Sequence, residues 1–221
     1  MREWDSPIEE QGHLGSCEGN AITNAYELQV RFLYPDKFVE LSRLFVYYNS
    51  RLLDNSELED NGAYLRDGMK AVKKFGICSE KLWPYNIKKF AIKPPNECYA
   101  DALARTITSY QSLTTIDDVL YALNENKPVV IGVTVYDSFN DVSKSNPIIN
   151  LPKSTERDTG GGHAMTIVGY DIPKKQFLIK NSYGRNWGDN GYAWLPFEYT
   201  EAEDFEKWVF DISNQPPISQ V

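Results

Sequence analysis

The sequence predicts an α+β fold, with a helical first half and a β-rich second half. Three observations carry that expectation. Apolar spacing of three and four residues dominates the segments before Phe75. Short apolar runs bounded by turn residues gather after Pro128. The chain has 221 residues and is 42% hydrophobic, enough for one large domain or two small lobes around a shared cleft.

The elements follow in order. Residues 1–16 read as loop, with Ser6-Pro7 and then Gly12 and Gly15. A helix is expected over Cys17–Leu33, where Ala21, Asn24, Ala25, Leu28 and Phe32 recur at helical intervals before the turn at Tyr34-Pro35-Asp36. A second is expected near Leu41–Leu53, with Ser42 as its cap, and a third from Tyr64 to Phe75, closed by Gly76. Asp117–Asn126 has the pattern of a short amphipathic helix. Pro128–Val135 then reads as a buried strand. His163–Tyr170 and Gln176–Asn181 read as strands joined by a turn, and Gly191–Leu195 as another strand. Residues 137–162 are rich in Ser, Asn, Pro and Gly and end in Gly160-Gly161-Gly162, the pattern of a long surface loop. A cleft between a helical and a β-rich half is a natural place for a site.

Composition excludes several classes. The net charge is −8, and the Lys pairs are too short and scattered for a phosphate-binding surface, so no nucleic-acid partner is expected. No apolar run approaches the roughly 20 residues that span a bilayer, and Met1–Asp5 lacks the features of a signal peptide. No membrane association is expected, and an intracellular location is favoured. Three cysteines (Cys17, Cys78, Cys98) and two histidines without close spacing argue against a disulfide scaffold and against a structural metal. No metal or organic cofactor is expected.

Four residues could carry chemistry together. Cys17 stands where a glycine-containing loop turns into a helix. Unpaired helix N–H groups there should lower a thiol pKa and favour the nucleophilic thiolate. His163 follows three glycines and opens an apolar strand. By itself it could be an inert strand-edge histidine; facing the cleft, it would pair with the thiolate. Asn181 ends a neighbouring strand, where its amide can accept from the imidazole N–H. An aromatic such as Trp187 can shield that bond. Gln11, six residues before Cys17, could join the Cys17 N–H as a donor to an oxyanion.

Together these residues resemble the papain family of cysteine peptidases. The matching stretches are Gln11–Cys17, Gly162-His163-Ala164, Lys180–Gly184, Trp187–Tyr192 and Asp60–Tyr64, in the family's order and spread over nearly the whole chain. The resemblance implies a two-lobe fold in one peptidase domain over residues 1–221. A mainly helical lobe would cover about 12–110 and a β-barrel-like lobe about 111–215, with the cleft between them. It makes Cys17 the nucleophile, His163 the acid/base, Asn181 the orienting amide, Gln11 the oxyanion glutamine, and Trp187 a cover for the Asn–His pair. Asn61, Gly62, Ala63 and Tyr64 would hold an extended substrate, while Leu65, Gly132, Gly162 and Ala164 would help line its binding subsites and accept a bulky apolar side chain.

The implied activity is an endopeptidase working through a Cys17 acyl-enzyme on peptide or protein substrates. A transpeptidase or ligase, an exopeptidase, and an inert peptide-binding module are the alternatives. There are departures from the family pattern. Glu18 replaces the usual aromatic after the nucleophile, Tyr183 replaces a tryptophan, and Leu14 stands at a disulfide cysteine of the secreted members. Cys78 and Cys98 are left open between a disulfide and two free thiols. The pattern resembles the disulfide-poor bacterial and large-virus branch. No long inhibitory segment precedes Gln11: either it was removed or this branch controls its activity differently, and a pro-segment or a protein inhibitor is left open as a partner.

Overall fold

The structure is a computed structural model and describes residues 6–153, 155–156, 158–201 and 205–213. Four helices lead: α1 (Cys17–Leu33), α2 (Arg43–Leu53), α3 (Leu65–Phe75) and α4 (Asn96–Ala102). Then come β1 (Ile107–Ser112), α5 (Ile116–Asn124), β2 (Val129–Tyr136), β3 (Asp158–Asp171), β4 (Gln176–Lys180), β5 (Tyr192–Pro196) and β6 (Glu206–Ile212).

Helix α1 is the spine of the molecule, buried almost continuously from Glu18 to Val30. It lies between α2 and α3 on one side and β3 on the other. Contact with α2 depends on Gly19, where a Cβ would sit 2.6 Å from the Arg43 carbonyl oxygen and 3.2 Å from the Tyr47 nitrogen. Ser42 caps α2 as its sequence implies, accepting from the Phe45 N–H at 3.2 Å. Gly76 ends α3 at φ +77°.

The strands form one six-stranded antiparallel sheet in the order β1-β6-β2-β3-β4-β5. One core packs α5 and one sheet face around Ile131, Met165 and Phe177. A second packs α1 and α3 against Val130, Ala164 and Phe210, and a third gathers α2 around Phe45, Cys78 and Cys98. Both of those cysteines are free thiols in this structure, their side chains hydrogen-bonded to each other.

Two regions differ from expectation. The stretch 137–162 is not loop to its end. β3 begins at Asp158 and its ladder pairs Thr134 with Gly162, because glycine backbone can extend a strand with few side chains to announce it. β1 and β6 have no clear two-residue alternation: β1 is mostly polar and exposed, and its pairing with β6 comes from residues about a hundred positions away. The β2–β3 register places Gly132 beside Ala164 and Val133 beside His163, which positions the site.

Candidate active site

The segment before α1 is held from several sides. The Gln11 N–H donates to the Ser182 carbonyl at 2.9 Å, and the Gly184 N–H to the Glu9 carbonyl at 2.9 Å. Tyr85 donates its O–H to the Gln11 carbonyl at 2.8 Å, and its hydroxyl lies 2.5 Å from Ser16 Oγ. Cys17 therefore meets the cleft from a braced turn at the first residue of α1.

The Gln11 side chain is buried and bound at both ends. Its Oε1 accepts from Ser182 Oγ at 2.6 Å, and its Nε2 donates to the Leu14 carbonyl at 3.0 Å. One Nε2 hydrogen remains for a ligand, and Gln11, Cys17 and His163 all line the same cleft.

On β3, His163 is 5% exposed. Its Nε2 lies 2.7 Å from Asn181 Oδ1, which also accepts the Ser182 N–H at 2.8 Å. The Ser182 N–H fixes the amide with its oxygen toward the ring, and an amide oxygen can only accept, so Nε2 carries the hydrogen and Nδ1 a lone pair. The Tyr183 hydroxyl lies 3.4 Å from that Nδ1.

Burial pushes the Cys17 thiol up, against the lowering effect of a hydrogen bond from the Ala164 N–H. It also pushes His163 down to about 4, against the raising effect of the Asn181 bond. This corrects the expectation that the helix terminus alone would lower the thiol pKa: desolvation outweighs it. Burial disfavours each group as an ion on its own, whereas a thiolate and an imidazolium side by side would compensate each other.

The aromatic cover also differs in detail. Tyr183 stacks on the imidazole at 4.6 Å between ring centroids, and Phe139 meets it edge-on at 5.8 Å. Trp187 lies a layer behind, stacked on Phe139 at 5.7 Å. The difference arises because Tyr183, two residues after Asn181, leaves the turn on the imidazole side, while Trp187 follows four residues later. Phe139 was missed because it lies in the polar stretch after β2, although it is the one large aromatic between Asp137 and Asn146. Ser182 and Tyr183 sit inside a motif already singled out, so their signal was present.

The cleft encloses about 780 Å³. Asn61, Gly62, Ala63 and Tyr64 form one wall, and Gly132, Gly162 and Ala164 the other, with Leu65 buried between. A Cβ on Gly132 would come 3.2 Å from Leu65 Cδ1, so the missing side chain opens the recess beside Leu65. Asp54, Asp60, Asp67 and Glu206 add four carboxylates to the cleft walls; none was expected as a lining residue. Arg51, the one arginine among the described lining residues, is turned inward and donates to the carbonyls of Glu57, Glu59 and Phe90.

Glu18 points into the helical layer. Its Oε1 accepts from Ser50 Oγ at 2.9 Å while Oε2 is buried without a partner, and burial pushes its pKa up to about 8. Gly68 makes the room, since a Cβ there would overlap that carboxylate. Among the described residues no cluster of three His, Cys, Asp or Glu is placed to hold a metal, and no helix is long and apolar enough to cross a membrane.

Comparison with known proteins adds an independent line. A family model described as papain family cysteine protease matches residues 2–206. An uncharacterized peptidase C1-like protein of Acanthamoeba polyphaga mimivirus is 40% identical over 224 residues, covering 95% of this chain and 71% of that protein. A thiol protease aleurain-like protein of Arabidopsis thaliana is 30% identical over 200 residues, covering 85% of this chain and 51% of the relative; the chain thus spans about half that relative's length. The crystal structure of xylellain, a cysteine protease from Xylella fastidiosa, superposes with a TM-score of 0.85 at 34% identity, covering 95% of this chain and 84% of that one. The viral and bacterial likenesses agree with the branch that the sequence pattern resembles.

Proposed function

Since the chain belongs to the papain family of cysteine proteases, we propose that it is a cysteine endopeptidase with Cys17 as nucleophile, His163 as acid/base, Asn181 as orienting amide and Gln11 as oxyanion donor. The observation that carries this is the contact between His163 Nε2 and Asn181 Oδ1, from which the tautomer follows. Asn181 Oδ1 holds hydrogen on Nε2, which leaves a proton-accepting Nδ1 in the cleft that Cys17 also lines.

An extended peptide lies along Asn61–Tyr64. Nδ1 takes the thiol proton as Sγ bonds to the scissile carbonyl carbon, and the oxyanion meets the free Gln11 Nε2–H and the Cys17 N–H. His163 then gives its proton to the leaving amine, and the thioester forms as the C–N bond breaks. Water, deprotonated by Nδ1, attacks the thioester; the acid leaves and the thiol is restored. Four carboxylates on the cleft walls, opposed only by an inward-turned arginine among the described lining residues, favour neutral or basic substrate side chains over acidic ones. Control by a pro-segment or a protein inhibitor belongs to the same proposal: either would occupy this cleft.

The test is intact mass after treatment with an epoxysuccinyl peptide, followed by cleavage profiling on a mixed peptide library. One label per wild-type molecule, absent in Cys17→Ala and strongly slowed in His163→Ala, is expected, with few acidic residues beside the cleaved bonds. Labelling on Cys78 or Cys98 instead, or a folded wild type that resists labelling, would overturn the assignment.

A further inference from the structure

Tyr183 does more at this site than cover a hydrogen bond. Its ring lies on the imidazole, and its hydroxyl reaches the nitrogen that must receive the thiol proton, 3.4 Å from Nδ1. Tyr183 lines the cleft together with Cys17 and His163, and Phe139 and Trp187 pack edge-on against its ring. The hydroxyl is thus held on the cleft side of the stack, at the reacting pair. A shield needs only an aromatic face; nothing in shielding calls for an oxygen at this point.

We propose, on the footing of the peptidase reading above, that the Tyr183 hydroxyl stabilises the charged Cys17–His163 pair. In the neutral pair the hydroxyl can only donate to Nδ1, over a long 3.4 Å contact, and so competes with the thiol. Once the proton has moved from Sγ to Nδ1, the same oxygen can accept from the new N–H, and its own hydrogen, after a rotation about the C–O bond, is free for the thiolate. No proton is gained or lost by tyrosine: the S–H bond breaks, the Nδ1–H bond forms, and the phenol keeps its hydrogen. A contact that is long in the unliganded state can tighten along the reaction. The thiol is within electrostatic reach of the phenol, being one of the groups, after burial, that hold it up at about 12. This gives the two partners, each disfavoured as an ion on its own by desolvation, a shared polar contact that forms fully only in the ionised state.

Among the described residues, Glu10 of the entry segment acts as a nearby charge on the phenol, and Glu18, although its carboxylate is turned into the helical layer, acts on the thiol; both remain unchanged in the test. Tyr183→Phe removes the oxygen and keeps the ring. The readout is the pH dependence of Cys17 alkylation by iodoacetamide, located by mass spectrometry, which requires no peptide cleavage. In Tyr183→Phe the acid-side midpoint should rise by about 0.5–1 unit and the rate below it fall about three- to tenfold, since one unit is tenfold in thiolate. Above the midpoint the two rates should agree within about twofold, because the ring and the thiolate are retained. Tyr183→Trp, which also keeps an aromatic face, should behave like Tyr183→Phe. Coincident midpoints, or a downward shift in Tyr183→Phe, would overturn the proposal while leaving the peptidase reading intact. A wild-type Cys17 that alkylates with the profile of an ordinary thiol and cleaves no peptide would overturn both.

Discussion

Ser182→Ala tests how the oxyanion donor is held. Ser182 Oγ donates to Gln11 Oε1 at 2.6 Å, with both residues under a tenth exposed. The substitution leaves the serine backbone intact, so the Ser182 N–H still binds Asn181 Oδ1 and its carbonyl still receives the Gln11 N–H. What is lost is one end of the Gln11 amide; the other remains anchored on the Leu14 carbonyl. An unpaired buried acceptor costs about 1–3 kcal/mol of stability. Removing an oxyanion donor outright costs roughly 10²–10³ in kcat. An amide swinging on one remaining anchor should lose part of that, about tenfold, or about 1.4 kcal/mol. The assay is steady-state cleavage of a peptide by enzyme titrated for active Cys17, for Ser182→Ala, Gln11→Ala and the double variant. Because Ser182 acts through Gln11, the double variant should be no slower than Gln11→Ala. Multiplied losses in the double variant would refute the reasoning and place the effect of Ser182 elsewhere.

Two further outcomes are expected. Glu18 and Glu27 are buried and Glu80 half-buried, and desolvation raises their pKa values to about 8, 7 and 7. Each raised folded-state pKa means that the native protein holds a proton the unfolded chain gives up. Their stabilisation is complete below about pH 4.5 and is lost as pH rises toward 8, at about 1.4 kcal/mol per unit for each group in its window. Urea midpoints between pH 5 and 8 should fall less in Glu18→Gln than in wild type; parallel slopes would show that Glu18 is not a source of the dependence. Asp60 Oδ1 accepts from the Gly15 N–H at 3.0 Å and from the Tyr47 hydroxyl, and so ties the nucleophile loop to the strip that begins at Asn61. Asp60→Ala should raise KM for an extended peptide several-fold with little change in kcat, a split that equal loss in both constants would contradict.

Much of the site was legible because its chemistry depends on residue types at particular ends of elements. Cys17 opens a helix that local periodicity reveals, and His163 opens an apolar run. Asn181 closes another beside a turn whose glycines are easily read. The helical half was legible for the same reason: α1 and α3 carry their own periodicity, and Ser42 and Gly76 mark real ends. β1 and β6 were not, because their pairing spans about a hundred residues and neither needs a local pattern to be completed by a partner across the sheet.

The sequence by itself determined which residues are proposed for the chemistry, Gln11, Cys17, His163 and Asn181, and their order, since each proposed role needs a chemical function that no neighbour can supply. Only the tertiary structure decided what surrounds them. Burial, which depends on every element at once, turned the thiol pKa upward. The turn after Asn181 brought Tyr183 rather than Trp187 onto the imidazole, and the polar stretch after β2 supplied Phe139. Gly68 gave Glu18 room to leave the thiol for the helical layer, and Ser182, unremarkable as a serine in a turn, became the anchor of Gln11 because two segments about 170 residues apart meet there.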